Sequence, residues 1–364
     1  MIDNNKFPDL SGKRFKSTIN YKDMDFKNNF TKIFGNDVDL EKPIRRVLIL
    51  TRKIDKDIDF LGPFLIQNNI DYVRINSDEI TNVQWKYTTT ERKQILQLIV
   101  NDTLYDINDF DNIIYRYFSV ESIGGSYRRE ITKQYIQDQW QEFLYSVNSI
   151  YTGIWINGIF QTEQSQNRVH QIRLASESGF RVPETIITNQ VMRKKINDDS
   201  LIVKALHSHF VEVIPEIRNE VYAKSVKNEL DILVDEYNND SYIAPLVIQK
   251  NIIHRIEIRV FYIDNFMCAI KYFSGENDEW HRNHMDKIGP SIIEMSIEHK
   301  KKISILINKL GLKYAALDFI WETSEDRLIF LEVNPFGDWR WLESRIKEPV
   351  FTNAIINYIL RGEN

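Results

Sequence analysis

The amino-acid sequence predicts a mixed protein of the α/β (α+β) class with more than one domain. Ile44–Leu50 has the pattern of a buried strand, and Phe60–Asn69 and Tyr72–Ile75 follow as a short helix and a second strand. This order is that of a βαβ unit with a small parallel sheet. Further along, two apolar strands joined by a polar turn within residues 315–333 predict an antiparallel hairpin. The length of 364 residues allows a substantial core.

The composition is that of a soluble globular protein and favours the cytoplasm. Charged residues make up 27% of the chain and hydrophobic residues 43%, which are ordinary proportions. The net charge of −5 and the absence of an arginine-rich stripe argue against a nucleic-acid partner. The single cysteine, Cys268, excludes an internal disulfide framework and fits a reducing compartment. We expect no membrane partner, because the sequence has neither a signal-peptide core nor a run of membrane-spanning length.

Residues 1–43 differ from the rest of the chain. Phenylalanine and tyrosine are scattered there among lysine, asparagine and aspartate, without a sustained period. This pattern is typical of a tail that is partly disordered or draped over the next domain. A docking arm for a partner or peptide is the other interpretation, and the sequence leaves both open.

The following segment predicts a small α/β domain. Trp85–Tyr87 and Leu96–Val100 indicate further strands or a hairpin, and Ser126–Ser149 has apolar residues at helical spacing. The predicted strand Ile113–Phe118 contains Arg116. An arginine in a strand is commonly an edge or interdomain salt-bridge residue, whereas at a strand end facing a cleft it holds an anionic substrate. Both interpretations of this arginine are open.

A helix and two strands are predicted next. Glu163–Ser178 has a helical pattern that Gly179 ends, and residues 181–189 (RVPETIITN) form an extended strand. Leu201–Leu206 (LIVKAL) is predicted to be a buried strand with Lys204 inside it. A buried lysine costs free energy unless it meets an anion, so Lys204 is a candidate phosphate ligand. A lysine that extends to a nearby surface is the alternative.

The second half of the chain predicts three more strands and an amphipathic helix that Gly311 closes. They are Leu246–Lys250, Ile256–Ile263, Phe266–Phe273 and Ser291–Leu310. In the second of these strands Glu257 and Arg259 alternate with apolar residues, so they share one face, opposite the core. The third strand contains Lys271.

The predicted hairpin contains the strongest candidate site. Its first strand is apolar except for Asp318, and its second is apolar except for Glu332. Asp318 falls opposite Leu331 or Glu332, and Asn334 leaves the same face as Glu332. Two carboxylates and an amide oxygen in an apolar setting need a cation, and all-oxygen ligands favour Mg²⁺ or Mn²⁺. Acids at strand ends that point to solvent are the alternative, which the long apolar flanks disfavour.

Other kinds of site find little support. Neither G-x-x-x-x-G-K-[ST], a G-x-G-x-x-G after the first strand, nor G-x-S-x-G occurs. The histidines lie in polar runs without cysteines nearby and are better explained as solvated than as zinc ligands. One set of cations and acids remains: Lys204, Lys250, Glu257, Arg259, Lys271, Arg282, Asp318, Glu332 and Asn334. Cations for phosphates and acids for a divalent metal together indicate an ATP site without a P-loop.

These motifs, in this order, resemble the ATP-grasp superfamily. The resemblance rests on an Asn-Arg pair before a helix, VPETIITN, a strand lysine, the QK pair, EIRV, ALDF and FLEVNPFGDWRW. More narrowly, the chain looks like the graspetide or microviridin-type peptide maturases, including the grasp-with-spasm branch, which make ω-ester or ω-amide crosslinks in ribosomal peptides. The resemblance covers residues 44–364, and Gly337, Trp339 and Trp341 narrow it to the maturases.

The resemblance implies an ATP-grasp fold in which ATP is held between two lobes. It divides the chain into an N-terminal extension at 1–43, a pre-ATP-grasp α/β domain at 44–150, a central lobe at 151–245 and a C-terminal lobe at 246–364. A leader peptide would dock around residues 207–240, where a polar excursion interrupts the central lobe.

The resemblance also implies the roles of individual residues. Asp318, Glu332 and Asn334 would hold two Mg²⁺ ions that bridge the ATP phosphates. Arg259 would stabilise the transferring γ-phosphoryl group, and Arg282 would be a second cation for phosphate or for a substrate carboxylate. The implied ATP-binding residues are Arg168, Lys204, Gln249, Lys250, Glu257 and Lys271.

Within that set Lys204 and Arg168 would contact the phosphates, while Gln249 and Lys250 would border the adenine. The sequence departs from the family's pattern at two of these places. Arg168 replaces the usual lysine, which keeps the charge and changes its reach. The segment HSHFVEVIPEI follows Lys204 where a glycine-containing loop is expected.

The activity implied is a two-step ligation. The γ-phosphate of ATP passes to an Asp or Glu side chain of a ribosomal precursor peptide, made of leader and core, and a Thr/Ser hydroxyl or Lys amine of that peptide then displaces phosphate. The protein is expected to be a homodimer. Two other functions remain open: a ligase that adds an amino acid to a peptide or protein end, and a catalytically weak module that binds a peptide or nucleotide.

Overall fold

The computed structural model describes most of the chain, with the described residues falling into two compact units. These residues are 45–123, 130–189, 201–206, 210–214, 217–220, 224–225, 245–252, 256–273 and 289–362. Unit 1 comprises the described parts of Met1–Thr162, Leu312–Tyr314 and Asp338–Asn364. Unit 2 comprises those of Glu163–Gly311 and Ala315–Gly337. The extension 1–43, Arg282 and most of residues 207–240 lie outside the described residues, and the four-segment division stays a prediction.

The described residues form 18 strands and seven α-helices. The strands are β1 (Arg45–Thr51), β2 (Ile70–Asn76), β3 (Val83–Thr89), β4 (Gln94–Val100), β5 (Thr103–Asp106), β6 (Asn112–Tyr115), β7 (Ile154–Ile156), β8 (Thr185–Thr188), β9 (Leu201–Ala205), β10 (Phe210–Ile214), β11 (Ile217–Glu220), β12 (Lys224–Ser225), β13 (Leu246–Lys250), β14 (Ile256–Ile263), β15 (Phe266–Phe273), β16 (Ser291–Ile293), β17 (Tyr314–Glu322) and β18 (Arg327–Asn334). The helices are α1 (Lys56–Gln67), α2 (Glu130–Ile150), α3 (Ile159–Ser165), α4 (Arg168–Glu177), α5 (Ile297–Leu310), α6 (Arg340–Ile346) and α7 (Val350–Arg361). None of the helices in the described residues combines the length and apolar character needed to cross a membrane.

The parallel sheet predicted for the start of the chain is confirmed in unit 1. Its strand order is β2-β1-β6-β7, and each neighbouring pair is parallel. The run Val47–Leu50 is fully buried, as expected for a strand that is covered on both faces. Helix α1 begins earlier than predicted because the Asp55 side chain caps it, accepting from the backbone N–H of Asp57 at 3.2 Å.

Of the two alternatives for Trp85–Tyr87 and Leu96–Val100, further strands or a hairpin, the structure shows a hairpin. Strands β3, β4 and β5 form an antiparallel sheet in that order. Helix α2 ends one residue beyond the predicted Ser149. Its Trp140 ring packs edge-on against Trp85 of β3, with 5.9 Å between ring centroids. The apolar spacing of this helix therefore marks core packing.

The single helix predicted over Glu163–Ser178 is wrong, because the chain forms two helices there. Helix α3 ends at Ser165 and α4 begins at Arg168. Between them the Asn167 side chain accepts a hydrogen bond from the His170 N–H at 3.0 Å, which starts a new helix. As predicted, Gly179 follows the helix with a positive φ of 85°.

The helix predicted over Ser291–Leu310 begins later than expected. Residues Ser291–Ile293 form β16, which pairs with β15. Helix α5 then starts at Ile297, because the Ser296 hydroxyl caps it by accepting from the His299 N–H at 3.2 Å. Gly311 ends this helix in the left-handed conformation, with a φ of 68°, as the sequence predicted.

Unit 2 contains three sheets within its described residues. Their strand orders are β12-β9-β13-β8, β16-β15-β14-β17-β18 and β10-β11. The pairs with a described register are antiparallel. The strands predicted around Lys204, Gln249, Glu257 and Lys271 are thereby confirmed as β9, β13, β14 and β15.

Arg116 lies directly after β6 in the core of unit 1. Its Nε donates to Asp55 Oδ2 at 3.0 Å, and its Nη2 lies 3.5 Å from Asp57 Oδ2 and hydrogen-bonds the Asp338 carboxylate. Burial acts to lower the pKa of Arg116, but the surrounding acids and tyrosines together hold it well above its ordinary value. Of the two interpretations of this arginine, the structure supports the salt bridge, here within one unit.

The tryptophan that follows Asp338 is a core residue of unit 1. Trp339 is 2% exposed, and its ring lies against those of Tyr314 and Phe351, with centroids 6.0 and 5.9 Å away. Its Nε1 donates to Thr352 Oγ1 at 2.9 Å. Trp339, one of the residues that narrow the resemblance to the maturases, therefore has a structural role in the core of unit 1.

Candidate active site

The candidate site is built on the β17–β18 hairpin. The register pairs Asp318 with Glu332 and Ala316 with Asn334. Directly opposed residues of an antiparallel pair, and residues two apart on a strand, point to the same face. The three oxygen-bearing side chains therefore share one face of the sheet. Of the two registers that the sequence left open, the one with Glu332 opposite Asp318 is confirmed.

Each carboxylate of this pair has an arginine beside it. Arg259 of β14 donates through Nη1 to both oxygens of Asp318, at 3.3 and 3.2 Å. Arg168, the first residue of α4, donates through Nη1 to Glu332 Oε2 at 3.0 Å. Like charges directly opposed across two strands destabilise a sheet, so the guanidinium groups compensate them. The Glu332 side chain nevertheless keeps 30% of its surface exposed, and the site is accessible to a ligand.

Asn334 is held in a tight turn that packs back onto β17. Its Oδ1 accepts from the Phe336 N–H at 2.9 Å, and its backbone carbonyl accepts from the Gly337 N–H at 3.1 Å. A Cβ on Gly337 would lie 2.1 Å from the Cβ of Ala316, which no side chain can tolerate. Glycine is required here because the turn lies directly against the strand that carries Asp318.

A chain of side-chain hydrogen bonds crosses the neighbouring sheet of unit 2. The Lys204 Nζ of β9 donates to Gln249 Oε1 of β13 at 2.8 Å. The Gln249 Nε2 donates to Thr185 Oγ1 of β8 at 3.0 Å, and that hydroxyl donates to the Pro183 carbonyl at 2.8 Å. The orientation of the Gln249 amide follows from these bonds, because its oxygen must accept from Lys204 and its nitrogen must donate to Thr185.

Lys204 interacts electrostatically with Glu332 of the β17–β18 hairpin. Burial is the main influence and lowers the pKa of Lys204, the Glu332 carboxylate raises it, and Arg168 lowers it again. Lys204 therefore lies near enough to the Arg168–Glu332 pair for both charges to act on it. The structure thus brings together three of the predicted cations, Lys204, Arg168 and Arg259, with the predicted acids.

Glu257 lies on the same face as Arg259, and this face is buried rather than turned away from the core as the sequence predicted. Glu257 is 7% exposed, because Tyr272 of β15 is directly opposite it. Burial is the main cause that raises the pKa of Tyr272 well above its ordinary value, and the charges of Asp318 and Glu257 add to it. The local sequence pattern does not single out Tyr272, although the pairing of two strands joined by a short turn places it opposite Glu257.

Three predicted residues do not join this group in the described structure. Lys271 is paired with Ile258 and so lies on the opposite face of the sheet from Glu257 and Arg259, which removes it from the candidate site. Lys250 is exposed at the end of β13, and its backbone N–H donates to the Glu184 carbonyl at 2.9 Å. Arg282 lies outside the described residues.

The donor set fits magnesium bound together with a nucleotide. Asp318, Glu332 and Asn334 offer carboxylate and amide oxygens, the ligands that Mg²⁺ prefers. Among the described residues, no group of three or more His, Cys, Asp or Glu side chains is placed to hold a metal by itself. Mg²⁺ characteristically binds one or two carboxylates and takes further ligands from substrate phosphates, and Arg168, Lys204 and Arg259 supply the positive charge that phosphates need.

The comparisons with known proteins concern the fold. No protein-family model and no curated protein matches the chain. Among solved structures, the chain is similar to the macrocyclase MdnC of Microcystis aeruginosa MRC bound with precursor peptide MdnA, with a TM-score of 0.72 and 20% identity over 87% of this chain and 99% of that one. It is also similar to a Chryseobacterium gregarium RiPP-associated ATP-grasp ligase in complex with ADP and a leader and core peptide, with a TM-score of 0.69 and 20% identity over 86% and 96%.

A third similar structure is the macrocyclase MdnB of the same Microcystis strain, with a TM-score of 0.67 and 23% identity over 86% of this chain and 99% of that one. The chain therefore has the ATP-grasp fold. The fold that the sequence motifs implied is confirmed, and the similarity extends over nearly the whole length of these proteins.

Proposed function

We propose that this protein is an ATP-dependent peptide maturase. It would activate Asp or Glu side chains of a ribosomal precursor peptide and join them to Thr/Ser hydroxyls or Lys amines of the same peptide. The observation that carries the proposal is the opposed pair Asp318 and Glu332, with Asn334 beside it and three cations around it, on the ATP-grasp fold. The MdnC and Chryseobacterium structures, each holding a precursor or a leader and core peptide, support the choice of substrate.

The residues divide the work of phosphoryl transfer. Asp318, Glu332 and Asn334 would hold magnesium, and bound Mg²⁺ neutralises charge on the phosphates. Arg168 and Lys204 would bind the phosphates, and Arg259 would stabilise the negative charge that spreads over the transferring group. Gln249, whose amide is fixed by Thr185, and Lys250 would border the adenine. Glu257 would keep Arg259 and Tyr272 in place on the same face.

The reaction would proceed in two steps. A carboxylate oxygen of the peptide attacks the γ-phosphorus of ATP, and the bond between this phosphorus and the oxygen bridging to the β-phosphate breaks. ADP departs, and the peptide side chain becomes an acylphosphate. A hydroxyl or amine of the peptide then attacks the acyl carbon, loses its proton, and releases inorganic phosphate. Each crosslink thus removes one water from the peptide, and exclusion of bulk water prevents hydrolysis of the acylphosphate.

Finer features of the resemblance belong to the same proposal. We place ATP between the central lobe, 151–245, and the C-terminal lobe, 246–364, after a pre-ATP-grasp domain at 44–150. The two magnesium ions, the homodimer and a leader docking around 207–240 are part of the proposal as well. Light scattering of the purified protein tests the dimer, and deletion of residues 215–240 without loss of leader affinity would contradict the docking region.

The proposal is tested by searching the neighbouring open reading frame for a short peptide rich in Thr/Ser or Lys followed by Asp/Glu, and by incubating the protein with that peptide and ATP. We expect ATP-dependent loss of one water per crosslink, read by mass spectrometry, with stoichiometric release of ADP. Glu332→Gln and Asp318→Asn should each lower the rate at least about 100-fold, because both remove a charged ligand of the metal. Normal product in either variant would contradict the site.

The hairpin offers a matched control. Glu322 lies at the end of β17. Like Glu332 it pairs with an arginine, Arg181, at 3.2 Å, and its side chain is 31% exposed against 30% for Glu332. Glu322→Gln should leave the activity unchanged.

Mass gain by an added amino acid would instead identify a peptide-end ligase, and ATP binding without ADP release on adding peptide would identify a binding module.

A further inference from the structure

One buried amide side chain connects the first turns of α4 to the strand that carries the candidate ligands. Gln171 is 4% exposed. Its Nε2 donates to the Ser165 carbonyl at 2.6 Å and to the Val333 carbonyl at 2.7 Å. Its Oε1 accepts from the Val333 N–H at 2.9 Å. Both N–H donors and the oxygen of the amide are therefore engaged, all with backbone groups.

The position of these bonds relates Gln171 to the candidate site. Val333 is the residue between Glu332 and Asn334, and both of its backbone polar groups are bonded to Gln171. On the helix, Gln171 is three residues after Arg168, so the two side chains leave neighbouring positions on one helical face. One side chain thereby ties the helix that supplies Arg168 to the strand that supplies two of the oxygen ligands.

We infer that Gln171 is a positioning residue, which sets the placement of Arg168 relative to Glu332 and Asn334. The inference rests on the proposed function, because its effect is on the binding of magnesium and nucleotide. The polar atoms of the Gln171 amide are bonded to backbone groups, so it acts through Arg168 and the strand that it holds in place. Residues that orient metal ligands typically change metal affinity or activity by about 10- to 100-fold when they are replaced.

A purely structural role for Gln171 makes a different prediction. The side chain would then contribute to the free energy of unfolding, and a folded variant would bind ligands as the wild type does. A positioning role predicts weaker binding in protein that is still folded, and it predicts that the loss depends on Arg168. Nucleotide affinity in the folded state separates the two roles, since a structural contribution leaves that affinity unchanged.

The test uses the full chain and Mg²⁺·ADP as the probe, titrated calorimetrically well below the unfolding temperature. Gln171→Met should weaken binding about 10- to 100-fold. Gln137→Met is the matched control, because the Gln137 amide also donates to two backbone carbonyls, those of Glu121 at 2.9 Å and Ile123 at 3.1 Å. The control should bind Mg²⁺·ADP as the wild type does. Wild-type affinity in Gln171→Met would overturn the inference.

A second variant covers the case in which Gln171→Met does not fold. Gln171→Glu keeps the size of the side chain and the acceptor for the Val333 N–H, but as a carboxylate it loses both donors. It should also weaken binding, and combination with Arg168→Met should add little further loss, because both changes remove the same placed guanidinium. Fully additive losses would overturn the inference. If the wild type itself fails to bind Mg²⁺·ADP, the proposed function falls and the inference falls with it, which is a distinguishable result.

Discussion

Two regions of the molecule pair arginine with carboxylates, and they differ in what surrounds the pairs. In unit 1, Arg116 is 3% exposed and Asp55 is 1% exposed, so the pair is sealed in the core. In unit 2, the Arg168–Glu332 pair leaves Glu332 30% exposed. The chemistry of the groups is the same in both places. Access to the Arg116–Asp55 pair is blocked by the core, whereas a ligand can reach Glu332, and this access distinguishes a structural ion pair from a binding site.

The two regions also differ in how their acids are satisfied. In the enclosed network, Asp57 Oδ1 accepts from the backbone N–H groups of Trp339 and Arg340 at 2.8 and 2.9 Å, so backbone donors from a distant segment hold it. Burial raises the pKa of Asp57, and Arg116 acts against that rise. In the accessible cluster the partners of Asp318 and Glu332 are side-chain cations, which a ligand can recruit. Of the three acids around Arg116, Asp338 alone is largely exposed, at 49%, whereas the cluster of unit 2 offers an anion or metal several charged side chains together.

Removal of the central arginine from each region tests this comparison most strongly. Arg116→Met leaves three buried or half-buried carboxylates without their cation and should lower the free energy of unfolding by about 3–5 kcal/mol. Arg259→Met should change stability less and lower ATP-dependent turnover at least about 100-fold. Urea unfolding and ADP release measure the two effects. Equal losses of stability in the two variants would show that the regions do not differ as described.

The enclosed region should also depend on pH through Glu343. Its carboxylate is buried and accepts from the Phe351 N–H at 2.6 Å and the Thr352 N–H at 2.8 Å. Burial raises the pKa of Glu343 to about 7, against an ordinary value of 4.5, although the hydrogen bonds from Thr352 and Phe351 lower it in part. The folded state therefore holds this proton more tightly than the unfolded state does.

The contribution of Glu343 to the free energy of unfolding is full below its ordinary pKa and is lost as the pH rises to about 7, by ~3 kcal/mol in total. Glu343→Gln cannot titrate, so the stability of the wild type relative to this variant should fall across that range and stay level above it. Urea unfolding at several pH values between 4.5 and 8 measures the difference. A difference independent of pH would contradict the buried, protonated carboxylate.

The smallest expected effect concerns the two tryptophans that narrow the resemblance. Trp339→Phe keeps an aromatic ring but removes the donor to Thr352, and it should lower the free energy of unfolding by about 1–2 kcal/mol without changing the crosslinks formed. Trp341→Phe is the matched change at the half-buried neighbour and should alter stability less. A changed crosslink pattern in a fully stable Trp339→Phe variant would instead show that Trp339 takes part in substrate recognition.

Local pattern predicted much of this fold. Strand runs such as Leu246–Lys250 follow from side-chain alternation, and the turn composition placed Asp318 opposite Leu331 or Glu332. The register shift after Asp318, which no local pattern shows, puts Glu332 opposite it. The helix over Glu163–Ser178 was mispredicted because one polar residue, Asn167, restarts the helix, and a capping side chain inside an apolar pattern gives a weak signal. Boundaries set by single caps are accordingly where periodicity fails.

Long-range pairing was beyond the sequence. Arg116 and Asp338 are 222 residues apart, and Gln171 and Val333 are 162 apart, so no local pattern links them. Lys271 was grouped with the ATP-binding cations by its order along the chain. The register of β14 and β15 pairs it with Ile258, so its side chain leaves the face of the sheet opposite to that of Arg259. Tyr272 lies in an apolar strand that does not distinguish it, and the pairing of β14 with β15 is the signal that places it opposite Glu257.

The contact between Gly337 and Ala316 restricts how this chain can evolve or be engineered. A side chain at position 337 would meet not only the Ala316 Cβ but also its backbone nitrogen at 3.1 Å, so with glycine at residue 316 it would still press against the backbone of β17. Any relief would have to move β17, and Asp318 lies two residues further along that strand. Position 337 is therefore closed to diversification, and a randomised library through the NPFG turn would return glycine there while its neighbours vary.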